Sequence, residues 1–205
     1  MEQYIIFVAL SFILIVLSRK TLFRLKSHGF YRFLSWECMA WLLASNFEYW
    51  FSKPLSINQI FSWLFLFLGL FLVIAGAIML KNAGNPTQAR TDESLYAFEK
   101  TTKLVETGIF HYIRHPLYSS LIFLTWGILL KNPEFRLIPF AVLATLFLYL
   151  TAIFDEKECI AYFGEKYMTY RKKTKMFIPF LFWTQIFQLF SSILFGLAFV
   201  RKIQT

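Results

Sequence analysis

Cysteine, acid and histidine are all scarce in this sequence. The two cysteines, Cys38 inside an apolar run and Cys159 among charged residues, show neither ligand spacing nor evident pairing. No disulfide framework and no metal site are therefore expected. The chain has no glycine-rich phosphate loop, no His-x-x-x-His pair and no Gly-x-Ser-x-Gly elbow. Acids number 12 against 21 Lys and Arg, a net charge of +9. The basic residues lie in short loops beside apolar runs, so anionic lipid, not nucleic acid, is the expected partner. The first apolar run lacks a basic leader and a small-x-small cleavage site, and reads as a retained span.

What the chain has in abundance is apolar surface. It is 58% hydrophobic, with 26 Phe and 6 Trp, and its mean hydropathy is +0.54. Those values lie outside the range of ordinary soluble proteins and indicate an integral membrane protein.

The runs organise the chain. Tyr4 to Ser18 is followed by Arg19, Lys20, Arg24, Lys26 and Arg32 without an intervening acid, a patch expected at the cytoplasmic face. A second run extends from about Phe30 to Phe51, with Glu37 and Glu48 toward its ends, and Lys53-Pro54 turns the chain outside. The third, Ile57 to Leu80, carries Gly69, Ala75, Gly76 and Ala77, a smooth face for close helix packing. A polar connection from Lys81 to Arg114 returns to the cytoplasmic side. Leu117 to Leu130 and Phe135 to Phe154 form a tight helical hairpin around Lys131-Asn132-Pro133-Glu134. The fourth run is short for a crossing, and is either tilted or extended by its loop. Asp155 to Lys175 reads as an interfacial amphipathic helix, with Ile160, Phe163 and Tyr167 at helical spacing. Phe177 to Val200 either crosses the bilayer or lies along it. Most Lys and Arg fall in the segments expected at the cytoplasm, which puts the N-terminus outside.

The polar corner between the third and fourth runs is where chemistry concentrates. Pro116 fixes its own φ and keeps His115 out of the helical region, so a helix can begin at Pro116. The first-turn N–H groups then face whatever lies beside Arg114 and His115. The hairpin returns the chain to the same membrane face, so Asp155 and Glu156 should lie near Pro116. A pocket lined by Arg114, His115, Tyr118, Asp155 and Glu156, with Leu104, Val105, Ile109 and Phe110 beside them, suits a cationic or zwitterionic ligand with an apolar flank. S-Adenosylmethionine has that charge distribution. Blander roles stand beside each residue: His115 as a turn residue, Tyr112 and Tyr118 as interfacial anchors, and the two acids as a helix start favoured by the dipole. His28 and His111 have no partner that sequence identifies.

The order Leu104-Val105-x-x-Gly108-Ile109-Phe110, Arg114-His115-Pro116-Leu117-Tyr118, Asp155-Glu156 and Phe163-Gly164-x-x-Tyr167-x-x-Tyr170 resembles the isoprenylcysteine carboxyl methyltransferase family of membrane methyltransferases, related to phospholipid methyltransferases, over about residues 80 to 180. The resemblance implies an all-α integral membrane protein of five or six transmembrane helices, with an S-adenosylmethionine pocket at the cytoplasmic face and a lipophilic or lipid acceptor entering from the bilayer. By the same resemblance, cofactor contacts fall on Thr102, Lys103, Leu104, Val105, Gly108, Phe110, His115, Pro116, Leu117, Tyr118, Asp155 and Glu156, and Arg114 and Glu156 carry the catalytic roles. Residues 1–80 would supply three N-terminal spans, 81–180 the methyltransferase core and 181–205 an apolar C-terminal helix. Family members usually have Glu-Glu where this chain has Asp155-Glu156, and those acting on prenylcysteine have an arginine where this chain has Thr151. Whether Asp155 or Glu156 makes the cofactor contact, and which acceptor is used, are thus left open; the oligomeric state is open as well. A phospholipid N-methyltransferase, an NADPH-dependent membrane reductase with the same Arg-His-Pro-x-Tyr corner, and a membrane scaffold are the alternatives.

Overall fold

In the computed structural model, the described residues are 1–25, 27–87 and 95–178. They form six α-helices: α1 Glu2–Ser18, α2 His28–Asn46, α3 Ile57–Ala83, α4 Pro116–Leu129, α5 Ile138–Phe163 and α6 Glu165–Lys173. Short 3-10 turns cover Phe47–Tyr49, Gly108–His111 and Phe135–Leu137. Among the described residues the extended pairing consists of two isolated bridges, Pro86 with Thr101 and Ile113 with Lys175. Beyond Phe177 and Ile178, the expected last apolar run and the segment 181–205 lie outside the described residues.

Two helices are long and apolar enough to cross a membrane, α3 and the continuous stretch Phe135–Phe163, whereas α1 and α4 are shorter apolar helices. The 27 residues of α3 make a rod about 40 Å long, more than the hydrocarbon core of about 30 Å. Its Phe61, Phe67, Phe71 and Ile78 are exposed, as are Ile5, Val8 and Phe12 of α1. Apolar side chains around most of a helix suit a lipid solvent and are costly in water, so the protein is membrane-associated.

The helices pair as α3 on α4, α2 on α5 and α1 on α2. Gly69 lets α3 approach α4 closely, since a Cβ there would stand 2.9 Å from the backbone oxygen of Ser120. Ser62 Oγ donates to the Gly127 carbonyl at 2.7 Å on the same seam. Leu42, Ile128, Leu129, Leu137 and Ala141 form a core at the hairpin end. That end is locked by Lys131, which is buried, donates to Gln59 Oε1 at 3.1 Å and lies 3.5 Å from the centre of the Trp63 ring.

Two expectations need correction. The fifth run does not stop at Phe154 before a separate interfacial helix: α5 continues through Asp155 and Glu156 to Phe163, and only then does α6 begin. The break comes at Gly164, whose φ of +60° and ψ of −136° disfavour a side-chain-bearing residue. No glycine or proline occurs between Pro139 and Gly164 to end the helix sooner. The acids therefore sit inside a helix and do not complement a helix start. Arg32, grouped with the headgroup-facing bases, is instead buried, 3.3 Å from Glu99 and stacked between Trp36 and Tyr96.

Candidate functional site

The corner forms as proline sterics require. Pro116 opens α4 in its first turn, and His115, with φ −122° and ψ 61°, stays outside the helix. The segment after α6 straps this corner down. Arg114 and His115 donate their backbone N–H groups to the carbonyls of Lys175 and Met176 at 2.8 and 3.1 Å, and Lys175 donates back to Tyr112 at 3.0 Å. Ser119 Oγ donates to Phe177 O at 2.8 Å, and Phe177 packs on Tyr118 and Ala152.

Across from the corner lies the acidic turn of α5. Arg114 Nε donates to Glu156 Oε1 at 2.8 Å, while its Nη1 donates to the backbone oxygens of Arg171, at 3.2 Å, and of Thr174. Arg171 Nε holds the second Glu156 oxygen at 3.0 Å. Arg114 and Glu156 are both buried, so this two-arginine clamp ties the corner, α5 and the end of α6 into one frame. The imidazole of His115 bridges the two acids: Nδ1 is 3.4 Å from Asp155 Oδ2, and Nε2 is 3.4 Å from Glu156 Oε1. Burial opposes its charge, yet the hydrogen bonds and charges of Asp155 and Glu156 outweigh that and raise its pKa above the ordinary imidazole value. Its ring stacks on Tyr118 at 5.3 Å.

Between corner and helix lies a cavity enclosing about 650 Å³ of free space, its open mouth included. Leu104, Val105 and Phe110 form one wall, and Arg114, His115, Pro116, Leu117 and Tyr118 another. Asp155, Cys159 and Phe163 enter from successive turns of α5, and Tyr167 and Tyr170 from α6. Leu80, Leu95, Glu99 and Thr101 complete it. Burial pushes the phenols of Tyr167 and Tyr170 well above their usual range, and the Tyr170 hydroxyl donates to Phe110 O at 2.6 Å.

Four residues expected at the cofactor lie outside this lining. Thr102 Oγ1 donates to Asn85 O at 2.8 Å, and the N–H groups of Thr102 and Lys103 both go to Gly84 O at 3.0 Å, so that pair shapes the loop. Gly108, with φ +57°, packs against Met79, which a Cβ would meet at 2.1 Å. Glu156 faces the arginine clamp. Conversely, Glu99 and Cys159 line the cavity without having been singled out. Cys159 and Phe163 follow Asp155 at i+4 and i+8, one face of one helix. The signal for that relation is the absence of a helix breaker between Asp155 and Gly164.

The sequence model of the phospholipid methyltransferase family matches residues 57–166. Among curated relatives, protein-S-isoprenylcysteine O-methyltransferase B of Arabidopsis thaliana is 32% identical over 119 residues, covering 55% of this chain and 58% of that protein. A methanethiol S-methyltransferase of Crocosphaera subtropica is 30% identical over 79 residues, 38% of this chain and 30% of that protein. One from Pseudomonas deceptionensis is 29% identical over 75 residues, 36% and 27% respectively. The chain thus spans under a third of these methanethiol enzymes and somewhat over half of the plant protein. No solved structure matches it significantly. The family match runs from the start of α3 through the acidic turn of α5 into α6, more than half of the chain, and this protein therefore belongs to the phospholipid methyltransferase family.

Proposed function

We propose that the protein is an S-adenosylmethionine-dependent methyltransferase acting on a lipophilic or membrane-partitioning acceptor. The observation that carries this reading is the convergence of the Pro116 corner and the Asp155 turn of α5 on one cavity. The donor set fits the cofactor: the Asp155 carboxylate suits its cationic part, and Leu104, Val105 and Phe110 suit the flat adenine. When bound, the cofactor supplies an electrophilic methyl group. Asp155 orients the cationic part, His115 holds Asp155 in place from the cavity wall, and the apolar side chains exclude water. Arg114 and Glu156 act as the frame that fixes these groups, since both Glu156 oxygens are held by arginines. The family resemblance favours five or six spans, with the cavity at the cytoplasmic face. The exposed Lys166, Arg171, Lys172 and Lys173 on the cavity side agree with that orientation. In this reading residues 1–80 anchor the chain and 81–180 carry the chemistry.

The Asp155 carboxylate in a mostly apolar cavity also suits an amine headgroup, which keeps the phospholipid N-methyltransferase reading as the second choice. NADPH fits less well, because Arg114 already commits Nε and Nη1 to Glu156, Arg171 and Thr174. Calorimetry of detergent-purified protein decides between the classes: micromolar binding of S-adenosylhomocysteine is expected. Binding of NADPH with no binding of S-adenosylhomocysteine would overturn the assignment.

A further inference from the structure

His28 opens α2, outside the stretch that the family model covers, yet it is fully buried against α5. Its Nδ1 lies 2.8 Å from Glu158 Oε2, and its backbone N–H donates to Glu158 Oε1 at 3.3 Å. One imidazole nitrogen of His28, one oxygen of Asp155 and one of Glu158 lie within 4.8 Å of one another. Asp155 faces the cavity, whereas the Glu158 side chain keeps 24% of its surface exposed. Titratable groups thus line up from the cavity, through the α2–α5 seam, to the surface; His28 Nε2 is buried without a hydrogen-bond partner, so the step between Asp155 and His28 spans up to 4.8 Å.

The row has a use that depends on the acceptor. Methylating a thiol or an amine releases a proton inside the cavity, next to the His115 imidazole. Methylating a carboxylate releases none. We propose that Asp155, His28 and Glu158 form the exit for the acceptor's proton, and hence that the acceptor is a protic nucleophile, a thiol or an amine. The proposal rests on the methyl-transfer reading above. As the acceptor atom bonds to the methyl carbon, the carbon–sulfur bond breaks with its electron pair left on sulfur, and the acceptor's proton goes to an Asp155 oxygen. From Asp155 it passes to the His28–Glu158 pair and leaves from Glu158 to water. The other titratable groups around the row are His115, Glu156, Cys159, Tyr118 and Tyr167 near Asp155, and Arg32 near His28. Asp155 touches the cavity contents and is catalytic. His28 and Glu158 act through it and are positioning residues.

The test uses the full chain in detergent with methyl-labelled S-adenosylmethionine and a total membrane lipid extract. Label in the products should survive mild base, which cleaves methyl esters but not thioethers or methylamines. His28→Gln and Glu158→Gln should each slow transfer about 10-fold or more at pH 7 while binding S-adenosylhomocysteine within about twofold of wild type. Their deficit should shrink toward pH 9, where the acceptor sheds its proton unaided. A purely structural brace would leave the deficit independent of pH. Glu158 is partly exposed, so its variant serves if His28→Gln fails to fold. Base-labile label, undiminished rates, a pH-independent deficit, abolition by a chelator, or no transfer despite S-adenosylhomocysteine binding would each overturn the proposal. Failure of the wild-type protein to bind S-adenosylhomocysteine would instead sink the methyltransferase reading beneath it.

Discussion

Adjacent acids on α5 should respond to mutation in opposite ways. Glu156 is 3% exposed and holds Arg114 at 2.8 Å and Arg171 at 3.0 Å. Replacing it by alanine leaves the buried Arg114 guanidinium without its carboxylate. Removing one partner of a buried ion pair costs about 3–5 kcal/mol, which for a chain of this length lowers Tm by on the order of 10 °C. Asp155 faces the cavity, its side chain 15% exposed and its closest imidazole contact 3.4 Å long. Its replacement should move Tm by only a few degrees but weaken S-adenosylhomocysteine binding at least about 10-fold, the loss of one charge-assisted contact. Thermal unfolding in detergent, read by intrinsic tryptophan fluorescence and paired with calorimetry, separates the two effects. A Glu156→Ala variant melting within about 2 °C of wild type would refute the clamp. An Asp155→Ala variant with unchanged affinity would remove Asp155 from the cofactor site.

Further outcomes follow from the same geometry. The fold raises the His115 pKa, so its contribution to stability is complete below the ordinary imidazole value near 6.5 and is lost as pH rises through the folded-state value. Tm should therefore decline from pH 6 toward pH 9, and His115→Gln should flatten that decline. Gly69→Val should cost about 1–3 kcal/mol by overpacking the α3–α4 seam, where even a Cβ would sit 2.9 Å from the backbone oxygen of Ser120; chemical denaturation checks it. Gly108→Ala adds left-handed strain to a collision with Met79, and Met79→Ala should recover only the steric part of the loss in Tm.

What local physics controls was legible along the chain. Apolar runs set the helices because exposed main-chain polar groups are untenable in lipid. Pro116 started α4 because its ring excludes helical geometry at His115. The Leu104-to-Tyr118 and Phe163-to-Tyr170 motifs pointed to the family that the match over 57–166 then established. Which charges meet depends on how the helices pack. Arg32 reads as a headgroup base until Glu99, 67 residues on, closes over it. Lys131 reads as a loop lysine until Gln59 and Trp63 enclose it. Glu156 turns to two arginines while its neighbour Asp155 turns to the cavity, because successive helix positions point about 100° apart and only packing chooses which of them faces inward. His28 finds Glu158 across 130 residues. No local pattern encodes such pairings, since they are fixed by how the helices dock and not by the spacing of the residues along the chain.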